Sequence, residues 1–83
     1  MKDELLMSSL AKRVVIGGIY EHYKGYRYLV LSVARHSETL EECVVYKALY
    51  GNEGVWVRPL TMFLENVPDK GCARFAFLGL EKT

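Results

Sequence analysis

The sequence predicts a mainly β fold: a small closed β-barrel of five or six short strands with an N-terminal α-helix. Three observations lead there. Runs of alternating apolar and polar residues recur between His22 and Pro59. Glycine-rich turns separate them, and 83 residues are too few for a two-sheet sandwich. Closing the sheet also removes the unpaired edges that an open sheet presents to other chains. A chain of this length buries only about 60 to 65% of its unfolded surface, so the core is small. An apolar content of 51% and an aromatic share of 12% compensate in part, because a few large rings supply much of the buried area.

The N-terminal helix is read from Asp3 to about Val14, where Leu6, Leu10 and Val14 recur every four positions and make one apolar stripe. Asp3 is its capping residue, and Gly17-Gly18 breaks it. The β-branched run Val14-Val15-Ile16 pulls the end back towards Lys12. Residues 1–17 are thus read as a helical extension, either a lid over one end of the core or a dimerisation helix, and residues 18–83 as the barrel domain. Ile19 to His22 is a short strand, with Gly25 supplying the positive φ of the turn after it. Arg27 to Ala34 is a longer strand, with Leu29, Leu31 and Val33 facing the core and Tyr28 pointing away. Arg35 to Glu42 is polar and reads as a loop. In the next strand, Cys43 to Tyr50, Lys47 marks the wet face and leaves Val44, Tyr46, Ala48 and Tyr50 on the core side. Gly51-Asn52-Glu53-Gly54 is a hairpin turn into Val55 to Arg58, which Pro59 ends. Leu60 to Leu64 is a single helical turn that plugs one end of the barrel with Met62 or Phe63. Glu65-Asn66-Val67 pairs briefly and Pro68 to Gly71 turns. Arg74 to Leu78 is the last strand, with Phe75 and Phe77 on one side.

Eleven basic and ten acidic residues give a net charge of +1, which excludes a whole-chain electrostatic footprint for nucleic acid or an anionic membrane. No apolar run approaches the roughly 20 residues of a membrane span. Behind Met1-Lys2-Asp3-Glu4 stands neither a long apolar region nor a small-residue cleavage site, so cytoplasmic residence and no membrane partner are expected. Cys43 and Cys72 lack the close pairing of a zinc or redox motif and are expected as free thiols, the first buried and the second exposed.

The chain resembles the bacterial domain-of-unknown-function family 1653. The resemblance rests on Gly18-Ile19-Tyr20-Glu21-His22-Tyr23-Lys24-Gly25, Tyr28, Ala34-Arg35-His36-Ser37-Glu38-Thr39, Val45-Tyr46, Leu49-Tyr50, Trp56-Val57-Arg58-Pro59, Met62-Phe63, Glu65 and Arg74-Phe75. It spans nearly everything from Gly18 to Phe77 and departs at the N-terminal segment and at Lys70 to Ala73. It implies an SH3-like barrel and no established activity.

Two constellations carry chemistry. His22, His36 and Glu38 have the residue types of a general base or a divalent-metal site, but no zinc signature and no partner nucleophile beyond Ser37. The competing reading makes the corner structural, with Ser37 and Thr39 bonding loop amides and Glu38 pairing with Arg35 or Arg58. The second constellation is aromatic. Tyr20, Tyr23, Tyr26 and Tyr28 crowd a hairpin that cannot bury them all, and Trp56 follows beside Arg58. Rings beside guanidinium groups suit stacking on bases or on peptide side chains, although tyrosines also cap small barrels. The expected function is therefore a non-enzymatic binding module for a nucleic acid or peptide segment, with a face of His22, Tyr23, Arg35, His36, Glu38, Tyr46, Trp56 and Arg58. The alternative is a metal-dependent or acid/base site on His22, His36 and Glu38. No cofactor is expected, and the oligomeric state is a monomer or a weak homodimer through the N-terminal helix.

Overall fold

A computed structural model describes residues 7–81. In chain order the elements are a 3₁₀ turn at Ala11–Arg13, then β1 (Gly18–His22), β2 (Arg27–Arg35), β3 (Glu42–Ala48), β4 (Val55–Pro59), α1 (Leu60–Leu64), β5 (Asn66–Val67), β6 (Cys72–Ala73) and β7 (Phe75–Leu80). The strands form an antiparallel five-stranded sheet in the order β4-β3-β2-β1-β7 and a separate two-stranded ribbon, β5-β6. The fold is mainly β, as expected.

The expected closed barrel is corrected by the pairing, because β4 and β7 are unpaired edges of the main sheet. The sheet nevertheless curls until its edges meet through side chains. In a flat sheet β4 and β7 would lie about 19 Å apart, given roughly 4.8 Å between neighbouring strands. Instead the Arg58 guanidinium on β4 sits 5.5 Å from the centre of the Phe75 ring on β7. Pro59 contributes to the gap: it has no N–H to offer a further strand, and the chain turns directly from it into α1.

The N-terminal α-helix is also corrected. Residues 1–6, including the Asp3 cap and Leu6, lie outside the described part, and between Met7 and Gly17 the only helical piece is the 3₁₀ turn. The physical reason lies in Ser8 and Val14. The Ser8 N–H and hydroxyl both donate to the Glu42 carboxylate at 2.6 Å, and its oxygen accepts from the Ala11 N–H at 3.2 Å. Serine in that role competes with continuous helix. Val14 is already extended, opening the β-branched run. Ala11 and Val14 are nonetheless buried against the core.

The core is the concave side of the curled sheet, filled by Tyr20, Val30, Val44, Tyr46 and Phe75 and capped by Leu60 and Phe63 of α1. Phe63, not Met62, is the plug: it is 1% exposed and stacks on Phe75 at 4.2 Å, whereas Met62 faces outwards. One strand reads differently from its alternation. The β2–β3 register slips between Val30 and Ser32, so Leu31 is a bulged extra residue and the faces exchange there. Tyr28 and Val30 consequently face the main core and Leu31 is exposed, against the expected assignment, while Leu29 is buried as expected but outside the main core cluster, and Val33 beyond the bulge packs inwards as expected. Strand β3 follows its alternation, except that Tyr50 lies beyond its end and is exposed. Cys43 and Cys72 are free thiols, buried and exposed respectively. Among the described residues no helix is long and apolar enough to cross a membrane.

Candidate binding cleft

Register decides which side chains share the concave face, since residues directly opposite on paired strands project to the same side. Tyr46 is opposite Trp56, and Val44 opposite Arg58. Tyr28 is opposite both Ala48 and Tyr20, while His22 is opposite Phe75. The face left open by α1 therefore carries Trp56, Arg58, Tyr46, Tyr28 and His22 in sequence across the sheet. Four of its side chains, Tyr28, Tyr46, Trp56 and Arg58, line a cleft of about 210 Å³ together with Tyr50 from beyond the end of β3.

The walls are held by ring contacts. Tyr28 meets Tyr46 edge-on at 5.2 Å and Tyr50 at 5.6 Å, and the Tyr28 and Tyr50 hydroxyls are 2.6 Å apart. Burial first, then the hydrogen bond to Tyr50, pushes the Tyr28 phenol up to about 12. It therefore stays neutral and available as a donor at ordinary pH. Trp56 is 58% exposed and forms the outer wall.

Arg58 is the distinctive charge. Its Nε donates to the Tyr46 hydroxyl at 3.2 Å and its guanidinium lies over Phe75, so its orientation is fixed. Other arginines are matched by acids: Arg27 by Glu21 at 3.6 Å, Arg35 by Glu42 at 3.6 Å and Arg74 by Glu65 at 2.7 Å. Among the described residues no carboxylate lies within ion-pair distance of Arg58.

Phe75 connects this cleft to His22, whose ring lies 5.0 Å from it and 4.6 Å from Tyr23. Burial, followed by the charges of Arg58, Arg74 and Lys24, lowers the His22 pKa below its ordinary 6.5. Its Nδ1 accepts the Lys24 N–H at 3.2 Å, a bond that requires that nitrogen unprotonated. His22 and Tyr23 line a neighbouring hollow of about 340 Å³ with Glu21 and Cys72.

The expected face thus divides. Tyr46, Trp56 and Arg58 come together, and His22 and Tyr23 adjoin them through Phe75. Arg35, His36 and Glu38 do not line the cleft: the register sets Arg58 level with Val33, two residues from Arg35, but Arg35 is engaged by Glu42 and the Leu40 carbonyl, and His36 and Glu38 stand in the loop beyond the end of β2. That corner is self-contained. The His36 Nδ1 accepts the N–H groups of Glu38 and Thr39 at 3.1 and 3.2 Å, and the Thr39 hydroxyl accepts from Glu41. The Arg35 Nη1 donates to the Leu40 carbonyl at 2.9 Å. Its carboxylate partner is Glu42 rather than Glu38. Among the described residues no three His, Cys, Asp or Glu side chains group as metal ligands. Tyr28, Tyr50 and Phe75 are the site residues that sequence reasoning missed. A bulge hides Tyr28 from the alternation, while the pairing of Phe75 with the edge of β1 leaves no local signal.

Comparison with known proteins agrees with the fold. The family described as "Protein of unknown function (DUF1653)" matches residues 18–77. A crystal structure of a DUF1653 protein from Bordetella bronchiseptica is 37% identical and superposes with a TM-score of 0.72, over 86% of this chain and 96% of that one. No curated protein matches.

Proposed function

Because this chain belongs to the DUF1653 family of proteins of unknown function, we propose a function from the cleft itself: a non-enzymatic binding module that holds an extended peptide segment between Tyr28, Tyr46, Tyr50, Trp56 and Arg58. The observation that carries this is an aromatic cleft with one preoriented guanidinium that has no carboxylate partner among the described residues. Aromatic walls accept proline or planar side chains at little conformational cost. The remaining Arg58 N–H groups offer a forked donor to a peptide carboxylate.

A single-stranded nucleic acid is the second reading. It is favoured by the cluster of Arg58, Arg74 and Lys24 whose field acts on His22, and by the capacity of tyrosine and tryptophan rings to stack on bases. Peptide takes precedence because Arg74 and Arg27 are already matched by acids, leaving few cations for a series of phosphates.

Trp56 is the only tryptophan and reports on the cleft directly. Titration with proline-rich peptides carrying one acidic residue should change its fluorescence, and Arg58→Ala should weaken binding about tenfold or more. Oligonucleotide binding that falls steeply with added salt would transfer the assignment to nucleic acid. A flat response to both ligands, with the fold intact, removes the cleft as the site.

A further inference from the structure

The outer edge of β4 is a self-complementary strand, and we infer that two copies of this chain pair through it, β4 against β4 in antiparallel, to make one continuous sheet. The Ala48 N–H donates to the Gly54 carbonyl at 2.9 Å, which fixes the alternation along β4. Gly54, Trp56 and Arg58 direct their backbone groups at β3, whereas Val55 and Val57 direct theirs outwards. Those outward groups have no backbone partner among the described residues. The strand also leaves Val55, Trp56 and Val57 consecutively 59%, 58% and 64% exposed. Nothing blunts this edge before Pro59. The other edge, β7, is interrupted by a register shift at its pairing with β1 and by Gly79 at φ 149°, which bend it away from a regular ladder.

A second copy fits this edge better than an arbitrary strand. With the two-fold axis at Trp56, the N–H and C=O groups of Val55 meet those of Val57 in the second copy, and the reverse. The two Trp56 side chains fall opposite each other as a closely spaced non-hydrogen-bonded pair. Arg58 lies opposite Gly54 of the other copy, so no like charges oppose. Glu53 falls opposite Pro59 of the other copy, one position from the Gly54 that faces Arg58, so it meets no like charge either. The symmetry makes the two ends of the contact identical. Only a short strand and its side chains are buried, so the dimer is a weak one.

Sedimentation velocity on the full chain from micromolar to near-millimolar concentration tests this. The expected result is a concentration-dependent rise from the 9.5 kDa monomer towards twice that mass and no further. Val57→Pro removes an outward N–H that β3 does not use and should hold the protein monomeric, with its folding checked by circular dichroism. Trp56→Glu sets two like charges directly opposite each other at the two-fold axis and should weaken association severalfold. A folded protein that is monomeric throughout overturns the inference. So does a dimer unmoved by Val57→Pro and by Trp56→Glu, or growth beyond two copies, which a head-to-tail contact would give.

Discussion

Phe75 is the residue on which the interior and the cleft both depend. It stacks on Phe63, meets Tyr28 and Tyr46 edge-on, touches His22 and lies beneath Arg58. Removing its stacking partner should be felt globally. Phe63→Ala is expected to cost about 3–5 kcal/mol, a large part of the roughly 5–15 kcal/mol of a whole domain, and urea unfolding measures it. His22 gives a pH prediction with a definite sign. Its folded pKa is depressed, so its contribution is present above 6.5 and is lost as pH falls through 6.5 towards the lower folded value. The urea midpoint should therefore drop on acidification, and His22→Gln should flatten that slope. Tyr28 runs the other way: its folded pKa is raised, so stability is intact below pH 10 and declines as pH climbs from 10 to about 12. Tyr28→Phe should reduce that alkaline loss, with tyrosinate absorbance following the titration. Of these residues, Trp56 and Arg58 were legible in the sequence as a ring beside a cation. The isolation of Arg58 from acids was not, because it depends on where Glu21, Glu42 and Glu65 spend their charge.

At the scale of elements, what the sequence made readable was whatever is encoded locally. The Gly51 to Gly54 turn, the β3–β4 hairpin, the helical turn after Pro59 and the pairing of Phe75 with Phe77 on one side all follow from residues a few positions apart. The two errors of substance had non-local causes. The bulge at Leu31 reversed the faces of half of β2, and alternation cannot show it because Leu31 is as apolar as its neighbours. The expected helix gave way because Ser8 is held by Glu42 from a strand 34 residues away. The start of β1 yields a test of packing. A Cβ at Gly18 would meet Phe77 Cε1 and the Val15 carbonyl oxygen, each at 2.8 Å. The backbone oxygen cannot swing aside, so Gly18→Ala should destabilise by about 1–3 kcal/mol, readable as a lower thermal midpoint.

For the whole molecule, the curled but unclosed sheet sets the relation between ligand and partner. Trp56 and Arg58 line the cleft and also stand at the free edge of β4. Occupancy by an acidic peptide and self-association therefore compete for the same groups, and a saturating peptide should return concentrated protein to the monomer in sedimentation. The barrel expected from the alternation was right about curvature and wrong about closure. Strand count and turn spacing are written along the chain, whereas a missing ladder between the first and last strands of a sheet is a property of two segments far apart.

The place of β1 in the sheet also bears on how the molecule is held together. Among the described residues β1 is the earliest strand in the chain, yet it lies between β2 and β7, and β7 is the latest. Without Phe75 to Leu80, one side of β1 has no partner and Phe63 lacks the ring it stacks on. Cutting the chain before Phe75 should therefore leave β1 as an open edge and Phe63 without its stacking ring, so such a truncation is expected to lose the cooperative unfolding of the whole.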